Sequence, residues 1–441
     1  MDARHTRIAI CIASAVAIAG LAGSSFADTW PQWRGPRNDG ISGERRIPES
    51  WSKTKNVAWR TPLPGRAGAT PCVWEDRIYL TSNDGDDLVL LCVGTKDGAI
   101  AWKRTVCSGN QDARAGEGNS ASPSPSTDGG HVWVFFGTGI LACYTRDGAE
   151  RWKIDVNERF GKIDIQFGMT STPVLDRGGL YLQLIHGAMK LGDQTRTGKV
   201  VKLDAQTGKT IWEIDRVTDA DFECKHSYAS PFVYRDGTRE FLVVHGADCT
   251  TGHALDDGRE VWRFGGLNGP TDTNPKPHDK TFRFVASPGV VPGTIVIPTA
   301  KEGPTVALRV SGDLAGDCSG KKSVVRWVNP LTPDVSTPLI ADGLVYLLHK
   351  DGKLQCVDLE KGADLYLKRT HTGQHRTSPL LADGRIYVGS NDGWVSVIRA
   401  GRDFELLDSI DFGESITASL FVADGTLYVR SYEALYAIRA N

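Results

Sequence analysis

The chain has 441 residues with 51 basic and 53 acidic side chains, a formal net charge of −2 and no basic run, which argues against nucleic acid as its partner. Its apolar content of 40%, with 12 Trp, 11 Tyr and 14 Phe, is enough for a large core. The 49 Gly and 21 Pro fit many tight turns rather than long helices, so the composition reads as all-β.

Arg4, His5 and Arg7 precede a run of uncharged, mostly apolar residues at 8–21, followed by small residues ending Ser25-Phe26-Ala27. This is the three-part pattern of a secretory signal peptide, so residues 1–27 are expected to be removed and the protein exported, to the periplasm or the extracellular space. The apolar run falls short of the roughly 20 residues that span a bilayer, and no membrane span is expected after cleavage. Cleavage takes Arg4, Arg7 and Asp2, moving the net charge from −2 to −3, and takes Cys11, leaving eight of nine cysteines. An even number in an oxidising compartment permits disulfides. Cys92, Cys143 and Cys356 recur at one place in a repeat and read as small buried core residues, whereas Cys224 and Cys249 form a candidate pair.

Residues 28–55 contain Trp30-Pro31-Gln32-Trp33-Arg34-Gly35-Pro36 without a strand period and read as an ordered extension pinned by its two Trp. Residues 56–63 read as a lone strand carrying Trp59. From Ala69 onward one unit repeats. In its clearest copy residues 200–203 form a strand, 204–208 a turn ending on Gly208, and 210–214 a second strand with Trp212. The same Gly-x3-Trp returns as Gly98/Trp102, Gly148/Trp152 and Gly258/Trp262, weakens to Gly362/Tyr366, and leaves Trp327 alone. A second marker, Ser/Thr-Pro at the start of a strand, sits at Thr70-Pro71, Ser122-Pro123, Thr172-Pro173, Ser230-Pro231, Ser287-Pro288, Thr337-Pro338 and Ser378-Pro379, with Ser419-Leu420 as the last copy. Eight units follow, 41 to 58 residues apart.

The sixth unit shows four strands, at 336–340, 344–348, 354–358 and 364–368, joined through Asp342-Gly343 and Asp351-Gly352, the residues that two-residue hairpins require. Repeated four-stranded meanders must hide their edges and apolar faces, and radial closure hides both. The expected fold is therefore an all-β, eight-bladed propeller of four-stranded antiparallel blades over residues 56–441. The last unit supplies three strands, so the Trp59 strand is expected to be its fourth and to close the ring.

The connections at 107–120, 157–170, 218–228 and 265–285 vary most and converge on one face around the axis, where a rigid scaffold presents function. Candidate ligand-binding residues there are Glu117, Asn119, His226, Tyr228, Arg283, Asp334, His375, Arg376 and Glu414. Mixed charges around one axis suit a polar ligand or a metal. His226 and His375 stand out as metal or acid–base candidates, although no third ligand is identified, and Arg283 and Arg376 suit an anionic ligand.

The Leu-Asp-x-x-Thr-Gly-x-x-x-Trp hairpin, its eight copies and the Trp-Pro-x-Trp-Arg-Gly-Pro opening resemble exported propellers with repeats of the pyrroloquinoline quinone (PQQ) type. The resemblance covers roughly residues 29–441. That family holds both quinoprotein dehydrogenases, which use PQQ and calcium in the funnel, and non-catalytic propellers such as the outer-membrane-protein assembly factor BamB. It implies a structural blade-docking role for Trp59, Trp102, Trp152, Trp212, Trp262 and Trp327. Against the enzymes, the chain lacks an adjacent Cys-Cys pair and Cys-x-x-Cys-His, and their Glu/Asn/Asp calcium set cannot be placed on it. Against BamB, it lacks the lipoprotein cysteine. The expected function is a non-catalytic scaffold binding an envelope protein or a small polar ligand without cofactor; the alternative is a PQQ- and calcium-dependent dehydrogenase of alcohols or sugars. N-terminal sequencing of the exported protein is expected to begin at Asp28; a chain still beginning near Met1 would end the export reading.

Overall fold

The computed structural model describes residues 29–52, 54–114, 118–189 and 198–440. The expected signal peptide and Glu117 lie outside them. Eight antiparallel meanders of four strands stand around one axis, and two of them carry one strand more. We number them as blades 1–8 in chain order of their first complete strand, with strands A to D from the axis outward. Blade 6 consists of Leu339–Ala341, Leu344–Leu348, Lys353–Asp358 and Asp364–Arg369. Its strand A begins later than the expected residue 336, because the Thr337 N–H bonds the neighbouring blade and Pro338 has no N–H to add to the ladder.

The last blade takes Phe421–Ala423, Thr426–Arg430 and Ala434–Ile438 from the C-terminus and its outer strand, Val57–Pro62, from the other end of the chain. Trp59, Arg60 and Thr61 face Ala437, Tyr436 and Leu435 in antiparallel register, so the N-terminal strand closes the ring as expected. Arg60 also donates to Glu414 at 2.9 Å and to the Tyr436 hydroxyl at 2.9 Å, tying the seam on its loop side.

Five of the six docking tryptophans sit on the turn of the blade that follows. The indole N–H groups of Trp59, Trp102, Trp152, Trp212 and Trp327 donate to the carbonyls of Thr95, Arg146, Ala205, Leu255 and Leu359 at 2.8–3.3 Å. This accounts for glycine and tryptophan recurring together. A Cβ on Gly98 would lie 2.6 Å from the Trp59 ring, and one on Gly362 would lie 2.5 Å from Trp327, while both glycines hold positive φ. Trp262 breaks the pattern, and its buried indole nitrogen has no partner among the described residues. Blade 5 replaces the usual turn between its outer strands with a longer excursion, and Gly316–Asp317 from it pairs in parallel with Glu260–Gly265, covering the edge of blade 4.

The N-terminal extension crosses the ring. Thr29–Trp30 pairs with strand A of blade 1 on its axial side. The Pro31 carbonyl accepts from Thr127 of blade 2, Trp33 packs on Phe232 of blade 4 at 6.2 Å, and buried Arg34 donates to the Pro379 carbonyl of blade 7 at 2.8 Å. The segment then runs outward, where the Pro48 carbonyl accepts from Tyr387 and Trp51 stacks on it, and continues into the closing strand. All eight described cysteines are free thiols, so the candidate pair Cys224 and Cys249 forms no disulfide; the Cys224 sulfur instead accepts from Asn268 at 2.9 Å.

Trp59→Ala is expected to lower unfolding stability by about 3–5 kcal/mol, as for other large core truncations. Urea unfolding followed by circular dichroism checks it, with an unchanged midpoint as the opposing result.

Candidate functional site

The Ser/Thr-Pro marker builds the wall of the axial channel. At its first residue each blade donates its backbone N–H to the hydroxyl of the next blade. Thr70 donates to Ser124, Ser124 to Thr172, Thr172 to Ser230 and Ser230 to Ser287, at 2.9–3.0 Å. The circuit continues from Ser287 to Thr337, from Thr337 to Ser378 and from Ser378 to Ser419, at 2.9–3.3 Å. Ser419 donates back to Thr70 at 3.1 Å, and the circle closes. The sequence placed the blade 2 member at Ser122. The structure uses Ser124, the second of two Ser-Pro pairs, because the hydroxyl of Ser122 accepts from the Asn119 N–H within its own loop. Of the eight collar hydroxyls, Thr70 has an internal acceptor among the described residues, the Ser419 carbonyl at 3.4 Å, and the other seven have none. The other hydroxyl protons are available to an occupant of the channel.

This collar lines a cavity of about 190 Å³. Half-buried Trp33, from the extension that crosses the ring, lines this cavity, here called the cup, beside its contact with Phe232. Towards the loop face the lining passes to Phe167, Tyr228, Val285, Arg283 and Arg376. The Arg283 guanidinium lies over the Phe167 ring at 4.5 Å and pairs with Glu223 at 3.3 Å, which holds it in one place. The Tyr228 hydroxyl accepts from the Phe167 N–H at 3.2 Å.

The sequence candidates separate into two groups. Tyr228, Arg283 and Arg376 line the cup, and Asp334 lines a recess beside it with Lys301 and Lys350. Burial pushes the Asp334 carboxyl above its ordinary value, while Lys350, Lys301, Arg283 and Arg376 pull against the shift. The others are built into the scaffold. Asn119 donates to the Arg66 carbonyl and to Asn83, and its own oxygen accepts from Ala121. Glu414 holds Arg60, Ser431 and Tyr436; burial works to raise its carboxyl, but these hydrogen bonds keep it below the usual range.

The two histidines are wholly buried. His226 has both nitrogens engaged, one with the Gly187 carbonyl at 2.9 Å and the other accepting from Gln166 at 3.4 Å. His375 Nδ1 meets the Gly373 carbonyl at 2.9 Å. Burial lowers the His226 imidazole and takes His375 down to about 4. Among the described residues there is no group of three His, Cys, Asp or Glu side chains able to hold a metal. Sequence reasoning missed the collar as a ligand surface, together with Trp33, Phe167, Lys301 and Lys350; the eightfold Ser/Thr marker was the available signal.

A sequence model described as the outer membrane protein assembly factor BamB matches residues 42–189, 191–402 and 253–441. A polyvinylalcohol dehydrogenase of Sphingopyxis sp. (strain 113P3) is 23% identical over 368 residues, 79% of this chain and 51% of that protein. The chain spans about half the length, or less, of the curated relatives it matches. Two solved structures share the fold. BamB from Moraxella catarrhalis is 15% identical with a TM-score of 0.60, covering 86% of this chain and 97% of that one. A europium-containing methanol dehydrogenase is 13% identical with a TM-score of 0.67, covering 92% and 90%.

The lowered histidines give a pH dependence with a definite sign. His245, His253 and His375 are held by burial at about 3, 4 and 4 in the folded state, against about 6.5 unfolded. The unfolded chain therefore takes up their protons first as pH falls. Their contribution is intact above about pH 6.5 and is lost progressively towards about pH 4. Tm is expected to fall across that window. In NMR titrations the His375 ring protons are expected to stay unchanged from about pH 8 to about pH 5, and those of His226 to titrate below the ordinary histidine value; an inflection near 6.5 for either would show an exposed ring instead.

Proposed function

The chain belongs to the family of the outer membrane protein assembly factor BamB, and from that premise we propose that it is an exported propeller whose work is binding. It serves as a scaffold in the cell envelope that takes a small polar ligand, or a polar group of an envelope protein, into the axial funnel without a resident cofactor. One observation carries this reading: the cup is lined by a ring of hydroxyls whose oxygens are already fixed by backbone N–H groups, with two arginines in the same wall. Groups held in place before an occupant arrives lose little freedom on binding. Among the described residues no helix is long and apolar enough to cross a membrane.

The rival reading, PQQ-dependent oxidation of alcohols or sugars, draws on the polyvinylalcohol dehydrogenase match and the methanol dehydrogenase fold. Arg283 and Arg376 would face the carboxylates of a quinone, a group that supplies a two-electron acceptor when bound. The described residues offer no acidic set for its calcium, since Glu223 pairs with Arg283 and Asp334 stands among cations. The calcium half of that site does not fit, and the binding reading is preferred.

Dye-linked oxidation assays over alcohols, sugars and polyvinyl alcohol, with PQQ and calcium supplied, are expected to show no turnover. Thermal melts against small acids and polyols are expected to give a saturable rise in Tm that Arg283→Ala and Arg376→Ala reduce. Saturable quinone binding with turnover would replace this function with the dehydrogenase.

A further inference from the structure

Beside the collar cup opens a recess of about 320 Å³, off the axis, with Glu223, Lys301, Phe282, Asp334 and Lys350 in its wall. The two cavities share Arg283 and Val285, so one guanidinium serves both. Together they fall in the size range of small-molecule sites, roughly 300–1,000 Å³.

The recess is over-supplied with positive charge. Arg283 is matched by Glu223 at 3.3 Å, but Lys350 approaches Asp334 only at 3.9 Å, and the acid near Lys301 is its own neighbour Glu302 at 3.7 Å. Three cations thus face two carboxylates in a concavity where screening is weaker than on an open surface. Asp334 itself holds a left-handed backbone at φ 62°, a conformation that costs a non-glycine residue and that clusters at functional sites.

The cup asks for something different. Its collar hydroxyls both donate and accept, and Trp33 and Phe167 add flat apolar faces. Many hydroxyls around an apolar C–H face describe a sugar ring, and a carboxylate answers the recess. A neutral sugar would leave the excess positive charge of the recess unanswered, whereas a short dicarboxylate would leave the collar to water.

The geometry points to an acidic sugar of the uronic acid class, its ring in the collar cup and its carboxylate turned towards Arg283, Lys301 and Lys350. This assignment rests on the funnel being a ligand site and names the ligand class that it takes.

Isothermal titration at low salt with D-galacturonate, D-galactose, succinate and citrate tests it. Galacturonate is expected to bind at least about tenfold more tightly than galactose or succinate. The double variant Lys301→Ala/Lys350→Ala removes side chains that are 51% and 41% exposed, so its melting temperature is expected to match the parent's. Its galacturonate affinity should drop to the galactose level. Equal binding of galactose and galacturonate, or a double variant that binds galacturonate as the parent does, overturns the assignment. Citrate binding without galacturonate binding also overturns it, yet leaves the funnel a ligand site. Silence from every probe here and in the thermal melts overturns both.

Discussion

Eight backbone N–H groups at the heart of the ring each need an acceptor, and each finds it in the hydroxyl of the next blade. A strand that starts inside a channel has no partner on its axial side, so its first donor would otherwise be left to chance water. Serine and threonine are short enough to present an oxygen beside their own backbone. The proline that follows most of them has no N–H to compete for it. Because the circuit is closed, each blade is fixed by one bond given and one received. The channel's lining is therefore a by-product of its construction: apart from Thr70, whose hydroxyl donates to the Ser419 carbonyl, each oxygen used as an acceptor belongs to a hydroxyl with a proton still to give.

The outer parts of the blades are held by a different device. A tryptophan on strand D covers the turn glycine of the next blade and donates to a carbonyl in that turn, combining apolar burial with one directed bond. The seam between blades 4 and 5 lacks the directed bond at Trp262 and has instead a strand borrowed from the blade 5 excursion. The final seam is made by joining the chain's two ends, with the Arg60, Glu414 and Tyr436 cluster at its loop side. The extension crosses this closed ring, carrying Trp33 from blade 1 to blade 4 and into the wall of the cup.

The charged lining of the two cavities is concentrated near blades 4 to 7. Arg283 and Arg376 stand over the hydroxyl collar, and Lys301 and Lys350 stand beside it. The buried histidines contribute packing and hydrogen bonds to loop backbone, which explains why imidazoles on the same connections take no part in the cavity.

The sequence by itself determined the repeat, the number of blades, the turn residues and the strand that closes the ring. All of these are local or periodic properties, set by strand alternation, by glycines at positive φ and by a unit that returns at nearly constant spacing. It also marked Tyr228, Arg283, Asp334 and Arg376, because loops that precede strand A must end near the axis. Tertiary structure alone decided which polar side chains face the cup and which are absorbed into the scaffold. Asn119, His226, His375 and Glu414 occupy the same kind of loop position as the arginines, yet their partners are the carbonyls, N–H groups and side chains of folded neighbours. The choice of Ser124 over Ser122 and the passage of Trp33 across the axis depend likewise on contacts between residues far apart in the chain. Spacing carries no record of such contacts, because a hydrogen bond between distant loops leaves no period in the sequence.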